Sequence, residues 1–574
     1  MGNSKQAQIF VNALSIAAGL ILVGTWLWLD APLKSRLGAS HQSDSSIAGA
    51  DFLHESAIAR LENQLQNARA LFDLNATSTP SLFDTHDIDL VQIQFLDFLN
   101  GEFLDARPSL FGGSLSNSSE SNFNALSHWN AIISDAPSQT LSSNSTMNYV
   151  QVGRVARTLI IAHRILYDTS DTLQKLLSNV STKSNNSDAK VDMKQSLTRI
   201  IDTATDALFP WIPPTFTSIR SMQTSLDDSV GIVITGGNHH AHLMMHLIST
   251  LREEFNCTLP VELFYAGPDD LNAAHLKQFN QMTNVTTKDL HQYFPQETKR
   301  WQKFSAKPFA ILASSFRTVL FMDADVLFFR DPREILENDV FRRNGLYYFK
   351  DRYYHDSAFQ EGSFWFREIN PYMSRYGRTL SYMHLRRTDA HGTVHQMDSG
   401  FIPLDKSRTG VLLSLLLACK MNSADERDEV LYKKSYGDKE AFWFSSEILR
   451  VPYEFNPYFG GTLGRKDRVQ SFFSWRGIVC SSTLLQANEK GEPFWWNGGG
   501  ILVDRFKPYD GEFVDFDAVG IDPVGQGTWW VWRHPMICMN TSWMNVRWLS
   551  RRHKQMLRRF EGIYRRKILA GNIE

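Results

Sequence analysis

The longest apolar run lies at the start of the chain. Ile9–Leu29 has one clearly polar interruption, Asn12, and is long enough to cross a bilayer as a single helix. A cleavable signal has a shorter apolar core, so the run predicts a transmembrane anchor over 9–29 behind a short cytosolic tail, 1–8. Lys5 and the amino terminus on one side nearly balance Lys34 and Arg36 on the other, so flanking charge does not set the orientation. Residues 30–148 read as a stem. Within it, Ile58, Leu61, Leu65, Ala68 and Phe72 recur at helical spacing. They suit a short coiled coil, through which the chain would self-associate, or a helix packing on the body. A Ser/Asn-rich loop follows over 113–147. Tyr149–Leu177 and Leu197–Leu208 are helix-like, the second stopping before Pro210, and 149–228 predicts a helical region packing on the next domain.

From 229 onward the texture changes. Gly231–Gly237, Leu259–Tyr265 and Val319–Phe329 are short, continuous apolar runs. Between them lie stretches with helical periodicity, one carrying Leu243, Met244, Leu247, Ile248 and Leu251 and another spanning Lys307–Ser315. The alternation predicts an α/β domain over 229–574, with a mainly parallel central sheet flanked by helices. Such sheets bind ligands beyond the carboxyl ends of their strands. Thr235, Gly236, Gly237 and Asn238 fall at one strand end and Asp323 and Asp325 at another, so both sets are expected to face one crevice.

Asp323 and Asp325 are the unusual feature of that pattern, two carboxylates inside the run Val319–Phe329. If the run is one strand, its period of two places both on the same face. Unpaired carboxylates at a core edge are costly. A divalent cation with a taste for oxygen ligands, Mn²⁺ or Mg²⁺, offsets that cost and could hold the diphosphate of an activated sugar.

Composition narrows the class. Hydrophobic residues make up 43% of the 574 and charged residues 21%, enough for a sizeable core. A formal net charge of −2 speaks against a general nucleic-acid binder, so any phosphate must be held by a local site. Asn75, Asn117, Asn144, Asn179, Asn185, Asn256, Asn284 and Asn540 begin Asn-x-Ser/Thr triplets, which suits a lumenal body. Cys257, Cys419, Cys480 and Cys538 have no zinc-like spacing; disulfides in any of three full pairings, or buried thiols, fit equally. Trp495, Trp496, Trp529, Trp530 and Trp532 suit either sugar stacking or a core. The basic C-terminus, with Arg551-Arg552 and Arg565-Arg566-Lys567, reads as a solvated helix face or a site for anionic groups.

Several short blocks occur in a characteristic order: Gly231-Ile-Val-Ile-Thr-Gly-Gly-Asn238, Leu259–Phe264, Lys307-Pro-Phe-Ala310, Leu320-Phe-Met-Asp-Ala-Asp325, Asp398-Ser-Gly400, Gly437–Phe442 and Trp496-Asn-Gly-Gly499. In these the chain resembles the fungal Golgi α-mannosyltransferases of glycosyltransferase family 71. The resemblance implies a GT-A-type nucleotide-sugar fold, a type II membrane protein with its catalytic domain in the Golgi lumen, and transfer of mannose from GDP-mannose to a mannose-terminated glycan with retention. An α-1,3 linkage is preferred over α-1,2. It further implies that Thr235, Gly236, Gly237, Asn238, Lys307 and Asp323 contact the nucleotide sugar. Asp323 and Asp325 would hold the metal with His534 as a candidate third ligand, and Asp398 and Asp438 are the carboxylates to test as catalytic groups. Two other classes compete. A lumenal glycoside hydrolase would use paired carboxylates, and a glycan-binding protein would keep the fold without turnover.

Overall fold

The computed structural model describes residues 149–167, 201–212, 218–295, 304–353, 395–435, 437–467, 476–533 and 536–570, with the isolated positions 198, 216 and 366. All fall within the compact unit that spans 84–574. The expected tail, anchor and stem lie outside the described residues. Among those described, no helix is long and apolar enough to cross a membrane.

Five strands form the first sheet: β1 (Asp227–Thr235), β2 (Val261–Tyr265), β3 (Val285–Asp289), β4 (Phe316–Asp323) and β5 (Phe401–Asp405), in the order β3–β2–β1–β4–β5. The first four are parallel, and β5 runs antiparallel along β4. The sequence accounts for this. Ile232, Val233, Ile234 and Val319–Met322 have no exposed surface, as expected of strands covered on both faces. Helix α1 (Tyr149–Tyr167) lies upstream, and α2 (Ala241–Phe255) follows β1. The predicted apolar face of α2, from Leu243 to Leu251, joins Ile232, Ile234, Leu263 and Leu320 in one buried cluster. Helix α3 (Ala306–Ala313) leads into β4. Helix α4 (Thr409–Asn422) is buried at every position, with α1, α3 and α5 (Lys439–Ile448) packed round it. That is the state of a helix apolar on all sides.

A second, nine-stranded antiparallel sheet was not legible in the sequence. It comprises β6 (Phe459–Lys466), β7 (Arg476–Ser481), β8 (Leu484–Ala487), β9 (Pro493–Asn497), β10 (Ala518–Asp522), β11 (Thr528–Arg533) and β12 (Met536–Ser542), with the short strands Leu327–Phe328 and Val546–Trp548. Cys480 and Cys538 face each other across β7 and β12 and form a disulfide; Cys257 and Cys419 are buried free thiols. Trp495 and Trp496 on β9 have no exposed surface, which resolves them as core. Trp529 and Trp530 on β11 are half-buried, and the Arg352 guanidinium lies over the Trp529 ring. The Trp532 side chain lies outside the described residues. Asn256 and Asn284 are exposed, whereas the Asn540 side chain is half-buried in β12 with its Oδ1 enclosed.

One expectation is corrected. Val319–Phe329 is not a single strand: β4 stops at Asp323, Ala324 and Asp325 form a turn, and Leu327–Phe328 crosses to the second sheet to pair with β9. Asp323 and Asp325 therefore do not share a strand face. A continued strand would have run the second carboxylate on into the core, and the turn instead delivers it to backbone donors.

Candidate active site

The carboxyl ends of β1 and β4 meet at the register pair Thr235–Asp323, which puts the glycine turn beside the first aspartate. Gly237 is required by a close approach. A Cβ there would lie 2.0 Å from Asp270 Oδ1 and 2.6 Å from the Asp270 carbonyl. Gly236 has Met244 Sδ 3.0 Å from its would-be Cβ. Asn238 is tied into the same turn: its N–H donates to Asp270 O (2.7 Å), and its Oδ1 accepts from Asn272 N–H (3.0 Å) and lies 2.9 Å from His275 Nδ1. Its side chain thus braces the turn.

Lys307 is the hub of the site. Burying it on α3 brings its ammonium to Asp323 Oδ2 (2.9 Å), Ser399 Oγ (3.0 Å) and Asp438 Oδ2 (3.6 Å). Burial alone would lower its pKa, but the negative charges of Asp323 and Asp438 outweigh that and raise it. The ammonium is held as a permanent cation. Asp323 is pushed up to about 7, chiefly by burial and further by Asp325 and Asp438, against the pull of Lys307.

Asp325 has different partners. Its Oδ2 accepts from Gly498 N–H (3.2 Å), Gly499 N–H (3.1 Å) and Arg505 Nη1 (3.2 Å). His240, at the end of the glycine turn, is near enough to feel Asp325 and Arg505, and burial lowers its pKa.

The two catalytic candidates are held unlike each other. Asp398 is buried with donors on both oxygens: Gly400 N–H (3.0 Å) and Asn497 Nδ2 (3.2 Å) on Oδ1, and Gln486 Nε2 (3.0 Å) on Oδ2. Burial and the nearby Asp351 carboxylate push its pKa up to about 6, against Gln486 and Gly400. Asp438, at the start of α5, is 3% exposed, and its Oδ2 is enclosed without a hydrogen bond. Residues 437–440 are not a surface cluster. Asp438 and Glu440 are buried, and Lys439 pairs with Asp351.

His534 lies outside the described residues, and among those described no group of three or more His, Cys, Asp or Glu side chains is arranged to hold a metal. The two aspartates nevertheless have suitable chemistry. Each has one oxygen, Oδ1, that takes no hydrogen bond among the described residues. A small hard cation is commonly held by one or two carboxylates plus substrate phosphates and waters. Asp323 and Asp325 fit that donor set.

Ser399, Gln486, Asn497 and Arg505 escaped the sequence reading. Ser399 and Asn497 sit inside recognised blocks, where adjacency could have drawn attention to them. Gln486 and Arg505 carry no local signal.

Residues 229–488 match the family model described as "Mannosyltransferase putative". Among curated proteins, "Putative alpha-1,3-mannosyltransferase MNN14" of Candida albicans is 27% identical over 320 residues, which is 49% of this chain and 44% of that one. "Alpha-1,2-mannosyltransferase MNN24" of the same organism is 28% identical over 256 residues, 40% of this chain and 35% of that one. The chain spans less than half the length of these relatives. Among solved structures, core-mannan synthase A of Aspergillus fumigatus in its Mn/GDP form aligns at a TM-score of 0.28 and 13% identity, over 43% of this chain and 76% of that one. That likeness is too low to carry the fold, which rests on the strand order itself.

Proposed function

We propose, from the chain's membership of the fungal α-mannosyltransferase family, that it transfers mannose from GDP-mannose to a mannose-terminated glycan. The observation that carries the reading is the meeting of Thr235, Asp323, Lys307 and Asp325 beyond the carboxyl ends of β1 and β4. That is where an α/β sheet binds its ligand. In this reading the glycine turn lets the nucleotide approach the backbone. Lys307 fixes Asp323 and supplies positive charge beneath it. Mn²⁺ or Mg²⁺, held by Asp323 and Asp325, would act as a Lewis acid toward the departing diphosphate. We place the enzyme at the Golgi membrane as a single-pass type II protein, anchored by 9–29 with the body lumenal.

Retention allows a covalent sugar intermediate on a carboxylate or departure and attack on the same face. Asp438 and Asp398 are the carboxylates to test for these roles: Asp438 Oδ2 is enclosed 3.6 Å from the Lys307 ammonium, and both oxygens of Asp398 accept hydrogen bonds. The preferred linkage is α-1,3, with α-1,2 the alternative within the same family. The test is a screen of nucleotide sugars with mannobiose acceptors, with and without Mn²⁺, followed by product NMR. GDP-mannose should be the productive donor and the new bond α-1,3. Metal-free cleavage of mannosides without GDP would instead make the protein a glycoside hydrolase, and glycan binding without turnover would make it a lectin-like relative.

A further inference from the structure

Asp325 is where the loop after β9 meets the end of β4. One oxygen, Oδ2, takes all three of its hydrogen bonds, from the Gly498 and Gly499 amides and from Arg505. The glycine amides are fixed by backbone conformation. Gly498, Gly499 and Gly500 have φ of +100°, +104° and +65°, a region that side chains disfavour. At Gly498 a Cβ would also lie 2.4 Å from the Ser482 carbonyl. These two donors are built in.

Arg505 is held differently. It is bound to Asp325 by a single contact of 3.2 Å and is half-exposed. Ile501 and Leu502 bury the loop's base, and the Tyr564 hydroxyl donates to the Pro508 carbonyl beyond it. Between those anchors Val503 and Phe506 face solvent, and the guanidinium lies over the exposed Phe506 ring. Its stem lies against Gly499, but the side chain is half-exposed, so the guanidinium end can turn away from Asp325 while the loop stays in place. A half-exposed ion pair of this kind contributes little and exchanges readily.

We propose that Arg505 is an exchangeable counter-ion for Asp325. With the site empty it neutralises the carboxylate. A divalent cation held at the open Oδ1 would repel the guanidinium from Oδ2, and Arg505, tethered beside the same site, would then be free to neutralise the diphosphate. The inference rests on the metal and GDP-mannose reading above and adds a residue that reading does not use. Arginine suits the second task because its planar fork matches phosphate oxygens.

The test measures binding, without turnover. Mn²⁺ alone is titrated calorimetrically into the wild-type protein, Arg505→Gln, Lys507→Gln and Asp325→Asn, and GDP is then titrated at saturating Mn²⁺. Lys507 is an exposed cation on the same loop and controls for charge at a distance. Arg505→Gln should bind Mn²⁺ about fivefold more tightly, since its competitor is gone. It should bind GDP about tenfold more weakly, since a charge-assisted phosphate contact is lost. Lys507→Gln should change neither by more than about twofold. The opposite signs are the signature, because a merely structural arginine would move both affinities the same way. The proposal falls if Arg505→Gln leaves Mn²⁺ affinity unchanged or weakens it, if Lys507→Gln has an equal effect, or if GDP binding is untouched. If Asp325→Asn abolishes Mn²⁺ binding while Arg505→Gln does nothing, the metal reading stands and only this inference fails. If no protein binds Mn²⁺, either alone or in the presence of GDP, both fail.

Discussion

Replacing Lys307 with Met should produce a stability defect that depends on pH in a particular direction. Met nearly preserves the volume and apolar stem of the side chain, so the packing penalty is small. What disappears is the cation that Asp323 and Asp438 share at 2.9 and 3.6 Å. Removing one partner of a buried pair costs about 3–5 kcal/mol. Asp323 keeps 24% of its side chain exposed, so the lower end applies, about 3 kcal/mol at pH 8. In the wild-type protein Asp323 already titrates near 7, and without the ammonium its folded pKa rises further. A carboxyl whose folded pKa lies above its unfolded value stabilises the fold below the unfolded value, and that contribution is lost as pH rises through the folded one. The defect should therefore be largest at pH 8 and shrink by pH 5, where the Asp323 carboxyl takes up a proton. Urea unfolding of both proteins at the two pH values, followed by tryptophan fluorescence, measures it. Adding Asp438→Asn should restore part of the loss at pH 8. A defect of equal size at both pH values, or one that Asp438→Asn deepens, would refute the electrostatic account of the hub.

Three further outcomes are expected. Asp325→Ala should abolish Mn²⁺-dependent transfer while leaving the circular dichroism spectrum close to wild type; unchanged transfer removes the proposed metal role. Gly237→Ala forces a carbon against Asp270 and should cost about 1–3 kcal/mol and weaken GDP binding; a variant with wild-type stability would mean that the turn yields freely. Because Asp323 titrates near 7, Mn²⁺-dependent GDP binding should strengthen from pH 6 to pH 8 as the carboxyl loses its proton. Calorimetry across that range would show an inflection near 7, and a flat profile would contradict the assignment.

Three strands of the first sheet, β1, β2 and β4, were legible because their central residues are apolar and buried on both faces, whereas β3, with the sequence Val-Thr-Thr-Lys-Asp, carries no such run. Runs such as Ile232–Ile234 and Val319–Met322 admit few other readings, and the α2 stripe from Leu243 to Leu251 fixes the intervening helix. The end of β4 was not legible. The apolar run continues to Phe329, but its last part belongs to another sheet, and only the pairing with Trp495 and Trp496 ends the strand at Asp323. The second sheet was hidden for a related reason. β6 is rich in glycine, and β9 is a four-residue buried stretch before Asn497, so neither alternates in a way that announces a strand. The site divided similarly. Asp323, Asp325 and the glycine turn stood out because polar or flexible residues interrupt apolar runs. Arg505 lies 180 residues from the aspartate it meets, and Gln486 lies 88 from Asp398. Contacts between such distant positions leave no local pattern.

The most direct measurement is a crystal structure grown with Mn²⁺ and GDP, with the metal located by its anomalous scattering. The account predicts one strong peak coordinated by Asp325, alone or together with Asp323, bridging to the diphosphate beyond the ends of β1 and β4. A peak elsewhere, or GDP bound away from Thr235 and Lys307, would contradict it.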